Sequence, residues 1–299
     1  MTGHQPPFGP LGVMRSWLRL GPPREGRRSI GSLWAWLVFI VGFLYFFIPL
    51  FATFEFSLRA QKLDPDTGER IRPSLAAYEL TFADPRFSGS LTYSFIIGLI
   101  TISVSLLLIV PTAYWVRLKV PRLRPVVEFV TLMPFVIPPV ILVFGLIRIY
   151  SGPPFGLTST ATGADFLLVG AYVILSFPYM YRAVDTGLAS MDVRTLTEAA
   201  QSMGAGWPRI ISQVIFPNLR SALLSGAFLT LAIVIGEYTI ANFLARPSFG
   251  PYLSLLGQNR AYEPAAVSLI SFGITWAAMG MLALLGRGTR GRVQVAGAR

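Results

Sequence analysis

Cysteine is absent from the chain, so it has neither disulfides nor thiolate metal sites. There is one histidine, His4, close to the N-terminus. That excludes histidine-based catalytic triads, HExxH zinc sites and histidine proton relays. Lysine is nearly missing, since Lys62 and Lys119 are the only two. Charge as a whole is scarce, at 13% of residues, where soluble domains carry roughly a quarter. No Gly-x-x-x-x-Gly-Lys-Ser/Thr sequence occurs, so no P-loop is present to bind ATP.

What is there is apolar: 53% of 299 residues, with mean hydropathy +0.59, too high for a soluble domain of this length. The net charge of +11 comes almost wholly from arginine. Those arginines sit in short clusters between long apolar runs, which is the pattern of membrane topology and not of a nucleic-acid surface. No nucleic-acid partner is expected; the bilayer is.

Charge-free stretches delimit six expected spans, since about 20 apolar residues cross the hydrocarbon core. They are 33–53, 91–116, 126–149, 165–182, 220–244 and 265–286. The fourth is short and is expected to draw on its flanks or to sit in a thinner region. A basic tail, 1–32, precedes this transmembrane domain of 33–286, and a second tail, 287–299, follows it. The first tail is too long and proline-rich before its apolar run to read as a cleaved signal. It holds Arg15, Arg19, Arg24, Arg27 and Arg28, and the second holds Arg287, Arg290, Arg292 and Arg299. With Arg117, Lys119, Arg122 and Arg124 after the second span, the positive-inside rule places both termini, and the loop 192–217, in the cytoplasm.

That loop reads as two short helices joined at a glycine. Asp192 suits the cap of the first. Leu196, Ala199, Ala200 and Met203 fall on one expected face. Gly204 and Gly206 end it. Pro208 suits the first turn of a second helix, with Ile210, Ile211, Val214 and Ile215 as its apolar side. On physics alone this is a surface helical hairpin under a membrane bundle.

Its spacing carries more: Glu198-Ala199-Ala200, three residues, Gly204, nine residues, Val214, one residue, Phe216, then Pro217. This resembles the EAA loop of inner-membrane permeases of binding-protein-dependent ABC importers. Val214 stands where that family usually has Ile, and Phe216 where it has Leu. The resemblance extends over roughly residues 74–285. It includes Leu75-Ala76-Ala77-Tyr78, Asp84-Pro85-Arg86-Phe87, Met133-Pro134-Phe135-Val136-Ile137-Pro138-Pro139 and Tyr262-Glu263-Pro264-Ala265-Ala266. Tyr93, before Ser94, replaces the family's usual Asn.

The resemblance implies an all-α polytopic protein with six transmembrane helices and the type I ABC importer permease fold, the last five helices forming the core. It implies a bacterial inner-membrane location and a non-catalytic subunit. Glu198, Ala199, Ala200, Gly204, Val214 and Pro217 would then couple to ABC ATPase subunits, which bind ATP and Mg, so this chain needs no cofactor. Its other implied partners are a second permease, homologous or identical, and an extracytoplasmic solute-binding protein. Short outer segments and the Gly236-Glu237-Tyr238 element look nearest the spermidine/putrescine-type group. The implied solute is a polyamine or other small organic cation, with iron or another small solute as the alternative.

Within the spans two features invite function. Pro134, Pro138 and Pro139 suggest a bent helix beside a pathway, or a packing kink. Glu237 lies about 25 Å along a helix from Arg220. A carboxylate at that depth needs a partner or water. It is expected either to meet solute, with Tyr238, Thr239 and Asn242 beside it, or to balance Arg148 or Arg246. Glu128 is expected to pair with Arg122 or Arg124. No catalytic or metal-ligating residues are expected. A secondary transporter would carry coupling-ion carboxylates at mid-membrane and a two-fold internal repeat, and neither is visible. An intramembrane enzyme would need a catalytic pair within the spans, and its His and Cys forms are excluded by count.

Overall fold

The computed structural model describes residues 30–60, 62–63, 70–71 and 73–287. The two basic tails fall outside these, except for residues 30–32 and Arg287, and so does His4. The chain divides into two units, 1–52 and 53–299. In the first, α1 (Ile30–Ser57) begins, and Phe39, Phe43, Phe47 and Phe51 stack at four-residue intervals along it. The last turn of α1 belongs to the second unit.

That second unit is almost wholly helical. A two-residue ladder, β1 (Lys62–Leu63) against β2 (Arg70–Ile71), is antiparallel. Then come α2 (Ala76–Ala83), α3 (Pro85–Leu118), α4 (Arg124–Val136) and α5 (Pro139–Tyr150). They are followed by α6 (Ala161–Ala189), α7 (Val193–Ser202) and α8 (Trp207–Asn218). The last are α9 (Arg220–Gly236), α10 (Thr239–Phe243), α11 (Phe249–Asn259) and α12 (Glu263–Arg287).

Among the described residues, three helices are long and apolar enough to cross a membrane: Trp34–Ser57, Pro85–Leu118 and Ala161–Ala189. They become five if each of two bent pairs counts as one span. The 25-residue α12 occupies the sixth expected position.

Three expected spans differ from what folds. The third is not one bent helix but two, α4 and α5, in a unit that turns by 96°. Pro138 and Pro139 offer no N–H, and a residue before proline is driven to extended backbone. Ile137 accordingly takes φ −90° and ψ 113°. The fourth is not short: α6 has 29 residues. The charges that bounded it in the sequence, Asp165 and Arg182, lie inside the helix. Asp165 is neutralised by Arg246 at 2.6 Å, so it does not end the span. The fifth does not run through Glu237. Helix α9 stops at Gly236, and Glu237 is extended, with φ −75° and ψ 126°.

The helices α3, α6 and α9 pack on one another and form the centre. At the hairpin end the core joins Tyr114, Met180 and Leu188 to Ile210, Ile215 and Leu219. At the other end Leu168, Tyr172, Val143 and Ile240 form a second cluster.

Candidate functional site

The loop 192–217 is a helical hairpin. Asp192 caps α7, its Oδ1 accepting from the Thr195 amide at 3.1 Å and its Oδ2 from the Thr195 hydroxyl at 2.7 Å. The hydroxyl first, then the amide, hold this carboxyl below the usual carboxylate range. Gly204 takes φ +79°, and the Ala205 amide closes back on the Ala200 carbonyl at 3.0 Å. This is the glycine stop that the sequence suggests, in the left-handed region open to glycine without cost.

The buried face of α7 is not the expected one. Val193, Thr197 and Ala200 point inward, while Ala199 and Met203 face out, Met203 with 81% of its surface exposed. A polar contact sets this rotation. The hydroxyls of Thr197 and Tyr114 meet at 2.8 Å in the core. A buried threonine with a partner is comfortable, and apolar periodicity alone does not see it. Glu198 is exposed and pairs with Arg194 at 2.8 Å along the same helix.

In α8, Ile210 and Ile215 are fully buried, and Ile211 and Val214 pack against the same core. Pro217 is half-buried in the last turn. It has no N–H to return to the helix, and the backbone widens to π-helix over Ile210–Ile215 just before it. Trp207 packs edge-on to Tyr114 at 5.8 Å, with the Lys119 ammonium 5.4 Å from its ring centroid. The hairpin is thus anchored along one side, and presents Glu198, Ala199, Met203 and Gly204 on the other.

The two helix breaks meet. A cavity of about 540 Å³ is lined by Pro138 at the α4–α5 break and Glu237 at the α9 break. Towards the hairpin end a second cavity, about 780 Å³, lies between α4, α6 and α9. Phe135, Pro178 and Tyr179 border both cavities. The Phe135 and Tyr179 rings touch edge to face, 5.4 Å between centroids. Tyr238, Thr239 and Asn242 line neither cavity.

Glu237 has neither ionic partner expected for it. Its Oε1 accepts from the Ile240 amide at 2.9 Å. Its Oε2 accepts from the Ile240 and Ala241 amides at 3.0 and 3.2 Å, and from the Tyr172 hydroxyl at 3.0 Å. The carboxylate therefore secures the first turn of α10, which starts the chain again after the break. Gly250 fits here because its backbone crosses closely: a Cβ would stand 2.3 Å from the Glu237 carbonyl oxygen.

Arg246 is held elsewhere. It pairs with Asp165 and lies 3.2 Å from the Tyr93 hydroxyl, which itself donates to Asp165. Tyr93, the departure from the family's usual Asn, thus ties α3 to α6 and to the loop after α10. Arg148 forms no ion pair among the described residues. Glu128 pairs with Arg124 at 2.9 Å, one of its two expected partners. Arg124 also reaches the buried Asp185 at 2.9 Å, and Arg117 approaches that carboxylate at 3.3 Å. This joint of α3, α4 and α6 went unread in the sequence, because its members are far apart along the chain.

Residues 105–290 match the family described as binding-protein-dependent transport system inner membrane component. A probable molybdenum ABC transporter permease protein of Haloferax volcanii is 32% identical over 138 residues, 46% of this chain and 51% of the relative. The molybdenum transport system permease protein ModB of Escherichia coli K12 is 29% identical over 126 residues, 38% of this chain and 53% of the relative. The chain spans about half the length of these curated relatives. Among solved structures, a chain of a bacterial ABC transporter involved in import of the acidic polysaccharide alginate has the same fold. Its TM-score is 0.60 at 20% identity, covering 90% of this chain and 100% of that one.

Proposed function

The chain belongs to the family of binding-protein-dependent transport system inner membrane components, and we propose that it is the permease subunit of an ATP-driven importer. The fold is that of type I ABC importer permeases, and the family is one of multi-pass inner-membrane proteins. The observation that carries the proposal is the hairpin Val193–Asn218. It is welded to α3 through Tyr114 and exposes a turn built on Gly204 at φ +79°.

In this reading a separate ATPase subunit grips Glu198, Ala199 and the turn at Gly204. Ala200, Val214 and Pro217 seat the hairpin on the membrane bundle, so motion of the ATPase passes into α3 and α6. ATP and Mg are bound by that ATPase. A second permease, homologous or identical, completes the passage, and a solute-binding protein delivers from outside. Both termini lie in the cytoplasm. The cavities lined by Pro138 and Glu237, and by Phe135 and Tyr179, belong to the passage, which ATP binding and hydrolysis switch between two facings.

The narrower expectation, a polyamine or other organic cation, drew on Glu237 and on the likeness of short outer segments. The two relatives described above are named for molybdenum, which does not favour it.

The test is Gly204→Pro. Proline holds φ near −65° and cannot adopt the turn. The variant is expected to insert in the membrane at normal level, to lose its co-purifying ATPase and to abolish uptake. Normal ATPase recovery with normal uptake would refute the coupling role.

A further inference from the structure

The larger cavity holds one charged side chain. Arg182, on α6, is exposed, and its guanidinium makes no hydrogen bond or ion pair among the described residues. Thr186 and Ser190 follow it on the same helix face at four-residue intervals and also line the cavity. From α9, Ser221 and Ser225 line the opposite wall.

These hydroxyls differ from others in the bundle. Ser103, Thr112 and Thr230 each close back on their own helix, to the carbonyls of Leu99 at 2.8 Å, Leu108 at 2.6 Å and Gly226 at 2.8 Å. The side-chain hydroxyls of Thr186, Ser221 and Ser225 make no hydrogen bond among the described residues. The wall therefore offers a planar guanidinium with a fork of donors, and hydroxyls free to donate. It has no carboxylate to hold a cation. Glu237 stands in the other cavity, its oxygens already taken by two amides and a phenol.

We infer that the solute passing this cavity is a small oxyanion, met by Arg182 and by the hydroxyls of Thr186, Ser221 and Ser225. A charge entering a low-dielectric passage is unfavourable unless an opposite charge meets it. A guanidinium matches oxyanion geometry with paired N–H groups. The inference rests on the permease reading above.

The absence of cysteine allows a test for which the solute need not be identified. The full chain carrying Ser225→Cys is purified in lipid nanodiscs with whatever ATPase accompanies it. It is then treated at low salt with an anionic sulfonatoethyl and a cationic trimethylammonium-ethyl methanethiosulfonate. Ser202→Cys, on the exposed hairpin, corrects for the intrinsic rates of the reagents. The anionic-to-cationic rate ratio at Ser225→Cys is expected to be at least about fivefold that at Ser202→Cys. Adding Arg182→Gln should erase the preference, whereas Arg182→Lys should keep most of it. Millimolar sulfate should slow the anionic reagent only when residue 182 is charged. A ratio unmoved by Arg182→Gln, or no reaction with either reagent, overturns the anion site, and a co-purifying ATPase then leaves the permease reading standing. Loss of the ATPase from the otherwise intact chain would overturn both.

Discussion

The hydroxyls of Tyr114 and Thr197 lie 2.8 Å apart, both buried, and join the core of α3 to the first arm of the hairpin. Thr197 also donates to the Val193 carbonyl at 2.7 Å, so Tyr114 is the donor between them. Movement of the hairpin therefore reaches a transmembrane helix through a directional bond as well as through apolar packing.

Tyr114→Phe removes that donor and leaves Thr197 bonded to its helix. The expected loss of stability is about 1 kcal/mol. Thermal unfolding of the purified protein should move down by a few degrees, and ATPase recovery should weaken. Tyr114→Ala should cost about 3–5 kcal/mol, because it also empties a packed site. An unchanged melting temperature in Tyr114→Phe would show that the contact carries no load.

The stop at Gly204 and the cap at Asp192 were legible because each depends on one residue type at one place. The face of α7 was not, because Thr197 is turned inward by a residue some eighty positions away. The same holds for Asp165 and Asp185, which read as span boundaries or went unread, yet lie within or beside helices once Arg246, Arg124 and Arg117 neutralise them. Charge-free runs locate apolar segments well, but cannot tell an unpaired charge from a paired one. A bend at Pro138 was visible in the sequence, but the full break into two helices turned by 96° was not. Arg182 had no signal of its own, since its meaning comes from the hydroxyls that α9 places opposite it.

Glu237→Gln should destabilise the protein by about 1–3 kcal/mol, because charge-assisted bonds to two amides and Tyr172 weaken together. Neither Arg148→Gln nor Arg246→Gln should rescue it, since Arg246 already has Asp165. Thermal stability and uptake, measured on the single and both double mutants, separate the cases. Rescue by Arg246→Gln would mean that the two charges balance each other. Lost uptake at unchanged stability would mean that the carboxylate meets solute.

Orientation can be read by labelling. Ser74 is buried and bonded to the Ala76 amide, which makes it a poor site for a reagent. Ser88, at the exposed start of α3, serves instead. Ser88→Cys should react with an impermeant thiol reagent in intact cells, and Ser202→Cys only after lysis. Labelling of both from outside would reverse the topology drawn from the arginines.

On the proposed function, a separate ATPase takes hold of the protein at the hairpin. Met203 projects from it and is 81% exposed. With Met203→Cys as the sole cysteine, a short thiol-directed photocross-linker on the purified assembly should capture a P-loop ATPase. Ser88→Cys, at the far end of α3, should capture none. An ATPase that co-purifies but is captured from Ser88→Cys and not from Met203→Cys would rule out the hairpin as its docking point.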